Sequence, residues 1–346
     1  MLWLTWRQFR AQATAVAALV AAFGVLLLVT GLRLASLYRA SSLAACHRDC
    51  GQAAGNFLNQ VGSGGGYHRI YTLGAALVYL LPAVIGLFWG APLIAREVES
   101  GPYRLAWNQT VTRERWLAVK LGLLGLASMA AAGLLSLILG WWASPIDRAA
   151  DIQGAGGFQS RFFPLDFGTR GIAPIGYAAF AFALGVLAGL MVRRTVPAMG
   201  LTLALIVAVQ IVFPLAIRPH LITPVRTVYA VTANDIQGFG IDQNNQLQGV
   251  FVNTPAAPGA WVISSQVTGA SGSTSLGTVP QACQPPDGSG PQACFSALAQ
   301  KNLKSVVTYE PANRYWTFQA LEFGIYLTVA ILLAWACFWW TRRRLS

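Results

Sequence analysis

The sequence predicts an all-α polytopic membrane protein. It has six transmembrane helices, an N-terminal interfacial helix, and a small mixed, β-containing extracytoplasmic domain between helices five and six. Three observations predict this. First, 55% of the 346 residues are hydrophobic and only 10% are charged, with a mean hydropathy of +0.52. Soluble globular domains carry about 25% charged residues, and a water-exposed chain this poor in charge would present large apolar patches. Second, six apolar runs reach the roughly 20 helical residues that cross a hydrocarbon core of about 30 Å: Thr14–Leu34, Leu73–Ala95, Trp116–Trp142, Ile172–Val192, Val196–Ile217 and Phe318–Trp340. Third, the net charge of +12 is spread as single residues and short clusters between these runs. No DNA- or RNA-binding motif accompanies it, so a nucleic-acid partner is excluded.

The opening segment Met1–Arg10 mixes Trp3, Trp6, Leu2, Leu4 and Phe9 with Arg7 and Arg10. That composition reads as an interfacial helix lying along a leaflet before the first span. The first apolar run is too long for a secretory signal. Arg33 and Arg39 also separate it from Leu43-Ala44-Ala45-Cys46, which resembles a lipoprotein cleavage box.

Basic residues set the orientation, because short loops rich in Lys and Arg stay in the cytoplasm. Arg7 and Arg10 precede helix one. Arg96, Arg104, Arg113, Arg115 and Lys120 follow helix two, Arg193 and Arg194 join helices four and five, and Arg342, Arg343 and Arg344 end the chain. Both termini are therefore expected in the cytoplasm of a multi-pass plasma-membrane protein. Trp141-Trp142 and Trp339-Trp340 fall at span ends, at headgroup level.

Three segments are then expected outside: about 35–71, 143–171 and 218–317. In the last, β-type runs at Thr227–Thr232, Gln248–Asn253, Trp261–Thr268 and Ser305–Tyr309 alternate with Gly, Asn and Pro punctuation. Gly269–Gly290 reads as a Gly/Ser/Pro-rich loop. The expected division is 1–217 (spans one to five with the loop 95–116), 218–317 (the outer domain) and 318–346 (span six and the basic tail).

Cys46, Cys50, Cys283 and Cys294 fall outside, and Cys337 lies inside the last span as a small apolar filler. An even number in an oxidising compartment points to disulfides, and the local pairs Cys46–Cys50 and Cys283–Cys294 are the simplest of three connectivities. Cys46-His47-x-x-Cys50 brings only three ligands together where a structural zinc takes four, so no metal is expected.

No P-loop occurs; Gly62-Ser63-Gly64-Gly65-Gly66 lacks the lysine and reads as a flexible loop. His47, His68 and His220 form no His-Glu-x-x-His pattern, and no Gly-x-Ser-x-Gly elbow appears. Nothing here supports catalysis. The segment Ala95–Lys120 after helix two is more informative. It holds Glu97, Glu99 and Glu114 beside an apolar face of Tyr103, Leu105, Ala106 and Trp107. An apolar face with a charged rim suits docking of a partner protein. Within the spans, Glu322 near the start of helix six and Gln210 midway along helix five are functional candidates by default. The alternative for Glu322 is an interfacial carboxylate paired with Arg314. Pro82, beside Gly86 and Gly90, marks a kink in helix two.

Several stretches carry a family likeness: Leu4-Thr5-Trp6-Arg7-Gln8-Phe9-Arg10, Gly90-Ala91-Pro92-Leu93-Ile94-Ala95-Arg96-Glu97, Tyr103-Arg104-Leu105-Ala106-Trp107 and Gly176-Tyr177-Ala178-Ala179-Phe180-Ala181. Arg193-Arg194-Thr195-Val196-Pro197-Ala198-Met199, Arg314-Tyr315-Trp316 and the final Phe338-Trp339-Trp340-x-Arg342-Arg343-Arg344 add to it. In these the chain resembles the permease subunits of type-2 ATP-binding-cassette (ABC) exporters of the kind abundant in actinobacteria. The resemblance implies a dimer with a second copy or a homologous permease, sitting in membrane lipid. It implies a separate ABC ATPase, holding ATP and Mg, docked on the loop between helices two and three. Glu97, Glu99, Gly101, Tyr103, Arg104 and Trp107 would form that coupling segment. Helices two and five would line the path, bringing Tyr79, Pro82, Phe88, Gln210 and Phe213 near it, with Glu322 as the candidate from helix six. No cofactor is expected on this chain, and the apolar path suits an amphiphilic or lipophilic substrate. The segment between helices five and six is usually a short hairpin in this family and is far longer here. A rival reading is a membrane-anchored sensor whose 218–317 domain binds a ligand.

Overall fold

The computed structural model describes residues 2–47, 50–64, 66–100, 112–152, 158–252, 259–269, 272–273, 276–284 and 290–344. The chain divides into two compact units: Met1–Leu221 with Tyr315–Ser346, and Ile222–Arg314.

The first unit is helical. In order it contains α1 (Leu2–Ala40), α2 (Gly51–Ser63), α3 (Tyr67–Ile85), α4 (Ala91–Ser100), α5 (Arg113–Ile152), α6 (Pro164–Phe167), α7 (Ala173–Val192), α8 (Thr195–Val212) and α10 (Tyr315–Arg344). Among the described residues, six stretches are long and apolar enough to cross a membrane; α3 and α4 together form one of them. The opening residues do not form a separate interfacial helix. α1 is continuous from Leu2 to Ala40, and no Gly or Pro precedes Gly24 to break it.

Span two is one rod with a wide turn. Pro82 has no N–H to give the preceding turn. Immediately beyond it, Gly86–Gly90 forms a π-turn, in which the Ala91 N–H reaches back five residues to the Gly86 carbonyl. Span five ends the same way: Phe213–Ile217, containing Pro214, is a π-turn closed by the Arg218 N–H on the Phe213 carbonyl.

α7 is the central helix. Its sequence alternates Ala and Gly with aromatic residues, and it is buried on nearly every face. It packs on α3, α4, α5, α8 and α10. Close approach to span two depends on missing side chains: a Cβ at Gly185 would lie 2.5 Å from the Gly86 carbonyl oxygen, and one at Gly90 would lie 2.7 Å from that of Phe182. At the N-terminus of α7, Gln319 of α10 accepts hydrogen bonds from Ile172 N (3.0 Å) and Ala173 N (2.9 Å). It caps two donors that the helix cannot satisfy internally.

The segments 35–71 and 143–171 are more structured than loops. α5 runs on past Trp142 to Ile152, even though Pro145 and Asp147 lie in its path. Asp147 is tolerated there because Arg170 pairs with it. α2 buries Ala54, Phe57, Leu58 and Val61 on one stripe. This stripe shares a core with Ala143, Ile146 and Ala149 of the α5 extension and with Phe158. Cys46 and Cys50, their Cα atoms 5.8 Å apart, form a disulfide just before α2.

The second unit contains β1 (Val225–Ala230), β2 (Ile236–Ile241), β3 (Leu247–Val252), β4 (Trp261–Thr268), α9 (Pro291–Ala299) and β5 (Lys304–Glu310). β5 lies between β1 and β4, antiparallel to both, and β2–β3 is a separate antiparallel hairpin. Its core joins Ile236, Leu247, Val250, Val279, Leu298 and Cys294. Cys294 is disulfide-bonded to Cys283. The four β-type runs of the sequence overlap β1, β3, β4 and β5, with the bounds of β4 matched and those of β1 two residues earlier than expected. β2 escaped notice because its two glycines, Gly238 and Gly240, dilute the β-forming pattern.

Candidate functional site

The helical unit holds its candidate site residues in several polar contacts, at the middle and at both ends of span five and beside it. Near its middle, α3 and α8 are joined by a reciprocal pair of hydrogen bonds. Gln210 Nε2 donates to the Tyr79 carbonyl (2.9 Å), and Tyr79 Oη donates to the Gln210 carbonyl (3.2 Å). Pro82 is buried one turn further on, and Phe213 is buried against Tyr326, ring centroids 4.9 Å apart. The structure thus brings Tyr79 and Gln210 together and sets Phe213 beside α10. Phe88 is separate: it is 53% exposed on the surface of the unit.

Glu322 does not pair with Arg314. Arg314 instead bonds Glu310 (2.9 Å) and the Thr223 carbonyl (2.9 Å) within the second unit. Glu322 is fully enclosed, and its partner is Arg218, at the end of span five: both side chains are 1% exposed. The pairing is bidentate, Nε to Oε2 and Nη2 to Oε1, each 2.9 Å. Tyr177 of α7 donates to Oε1 as well. Arg218 Nη1 donates to the Pro164 carbonyl (3.2 Å), and its guanidinium lies 4.3 Å from the centroid of the Phe167 ring. A planar fork meeting a carboxylate in this way satisfies most donors and both acceptors. Arg218 and Tyr177 were not read as site residues from the sequence. Arg218 sits one residue beyond the expected end of span five, and no local spacing links it to residue 322.

A second buried cluster joins α5, α6 and α3. Arg170 pairs with Asp147 and lies 3.8 Å from Asp166, and Tyr71 Oη donates to Asp166 Oδ1 (2.7 Å). Burial pushes the Asp166 carboxyl above its ordinary range, against the pull of Arg170.

At the other end of span five, Glu99 of α4 reaches the N-terminus of α8. Its Oε2 accepts from Thr195 N (3.1 Å) and Thr195 Oγ1 (2.7 Å). A carboxylate is well placed at the positive end of a helix. These bonds, with Arg194 nearby, hold the Glu99 carboxyl below the usual carboxylate range. Glu114, at the start of α5, pairs with Arg342 of α10 (2.8 Å). Glu97 lies in α4, its side chain outside the described residues. Gly101, Tyr103, Arg104 and Trp107 also lie outside the described residues.

Six long apolar helices among the described residues, packed on a central helix through its glycines, define a multi-pass membrane protein. The family model described as ABC-2 membrane transporter related matches residues 17–218, and the chain belongs to that family. It is a membrane transporter permease by that membership, which implies an ABC ATPase partner in general. No curated protein matches the chain, and no solved structure matches it.

Proposed function

We propose that this chain is the membrane-spanning subunit of an ABC exporter, working as a dimer with a second copy or a homologous permease. It forms the translocation path and performs no ATP hydrolysis itself; ATP and Mg belong to a separate cytoplasmic ATPase. Both termini and the loop after span two face the cytoplasm, in keeping with their basic residues. The segment 218–317 and the four disulfide-bonded cysteines face the opposite side. The cargo is amphiphilic or lipophilic.

The observation that carries this reading is the family match, which covers spans one to five. The Glu99–Thr195 contact supplies a route for coupling. Glu99 ends the helix that leads into the loop Ala95–Lys120, and Thr195 begins span five. A push delivered to the loop by the ATPase would therefore be felt at the N-terminus of a path-lining helix. The Tyr79–Gln210 pair would then be a point where spans two and five part or stay together during the switch.

Affinity purification of the chain in mild detergent should recover an ATPase carrying a Walker-A motif. Thr195→Val should leave that ATPase bound while reducing transport roughly fivefold, since it removes one bond of the link and leaves the docking segment intact. Complexes that never contain an ATPase, together with full transport by a Glu97→Ala, Glu99→Ala variant, would refute the proposal.

A further inference from the structure

The geometry points to a lateral groove on α5 that binds an anionic amphiphile, with its phosphate at Arg148 and Arg161 and its chain running along Trp141, Gly140 and Leu137. The cavity measures about 490 Å³ and lies wholly within the helical unit. Its α5 wall is a single stripe from Ser136 to Asp151, at spacings of three and four residues. Fifteen residues of helix rise about 22 Å, so the groove is long and narrow.

Its two ends differ in chemistry. Toward residue 136 the wall is apolar, and two exposed indoles line the groove: Trp141 is 47% exposed and Trp316 is 59% exposed. Toward residue 151 the wall carries charged groups. Asp147 is paired with Arg170, which also lies 3.8 Å from Asp166, and Asp151 is paired with Arg161 at 3.3 Å. Arg148 is exposed and has no carboxylate partner among the described residues, so its guanidinium is open to an anion. Asp166 lines a different cavity and takes a hydrogen bond from Tyr71.

The second indication is Arg170 itself. It is 3% exposed and lines the groove, yet its Nε has no hydrogen-bond partner among the described residues. A buried donor without an acceptor is costly, and an anionic oxygen would satisfy it. An apolar trough lined by indoles and ending in guanidinium groups matches an amphiphile by charge and by length.

Gly140 offers a direct test, because a Cβ there would meet nothing within 4 Å. The full-length chain in a neutral maltoside detergent is titrated with dodecyl phosphate, dodecanol and inorganic phosphate, with occupancy read by native mass spectrometry. Dodecyl phosphate should bind saturably. Arg148→Gln should weaken it roughly tenfold by removing a charge-assisted contact. Gly140→Leu should weaken it by a similar factor by filling the trough. Both variants should unfold at the wild-type temperature, since neither side chain supports the packing. Unchanged binding in both variants would overturn the assignment of the groove. Inorganic phosphate binding as tightly as dodecyl phosphate would overturn the role of the chain, and equal binding of dodecanol would overturn the role of the arginines. The readout is binding alone, so the result stands apart from whether the chain transports.

Discussion

Arg218 and Glu322 show how a charge survives in an apolar helix bundle. Desolvating either ion alone costs several kcal/mol, and their attraction offsets this only when the remaining donors and acceptors are satisfied. Here Tyr177 and the Pro164 carbonyl take up what the pair leaves over. Removing one member therefore strands the other. Glu322→Leu should destabilise the helical unit by roughly 3–5 kcal/mol, and adding Arg218→Met should recover most of that loss. Denaturant unfolding of the detergent-solubilised protein, arranged as a double-mutant cycle, reads the coupling directly. Additive losses would show that the two charges act independently. The pair also fixes geometry, because it joins the end of span five to span six and, through Tyr177, to span four. No rearrangement that separates spans five and six can occur without breaking it, and polar groups enclosed in a span commonly mark such moving parts.

Among the elements, α7 and span two are matched by what they lack. Gly86 and Gly90 lie against Gly185, and Ala91 against Gly189, so closely that backbone touches backbone, the arrangement by which helices associate where no hydrophobic force drives them together. A methyl group at residue 185 has nowhere to go except into the Gly86 carbonyl and the Ala91 amide. Gly185→Ala should therefore cost about 1–3 kcal/mol by overpacking. Gly122 is the contrast: it is exposed on α5 and a Cβ there meets nothing within 4 Å, so Gly122→Ala should be neutral or gain about 0.5–1 kcal/mol from helix propensity. Thermal unfolding of the two variants side by side separates close packing from intrinsic preference. The π-turns at Gly86–Gly90 and Phe213–Ile217 place the only bends of this type among the described residues in spans two and five, each near a proline. Pro82 signalled its own turn from the sequence, since a missing N–H is a local fact. The position of Pro214, near the end of an apolar run, carried no comparable signal.

At the scale of the molecule, legibility followed the range of the forces. Hydropathy is a local average, so all six apolar helices are legible in the sequence while their ends are not: the third runs on to Ile152 where the apolar run stops at Trp142, and the first to Ala40 where it stops at Leu34. The β-rich character of the second unit is visible in its branched residues. The α5 extension was missed because Asp147 and Pro145 argue against helix until Arg170 is brought to them from 23 residues away. Arg218 and Glu322, 104 residues apart, carry no sequence signal of their meeting. The same contrast explains why the second unit depends on its cross-link. Ile222–Arg314 is a small compact unit whose core includes the half-cystine Cys294. A cross-link inside that core adds to what packing supplies, because it restricts the unfolded chain. The bridge closes a loop of sequence separation 11 between Cys283 and Cys294, which by chain entropy contributes about 3 kcal/mol. Residues 222–314 produced alone in an oxidising compartment should unfold cooperatively in urea. Cys283→Ser with Cys294→Ser should lower that stability by most of this amount. Replacing Cys46 and Cys50 in the full chain should leave the unfolding of this unit unchanged, because that bridge belongs to the other unit. Equal urea midpoints with and without the Cys283–Cys294 bond would show that the sheet and α9 hold together by packing alone.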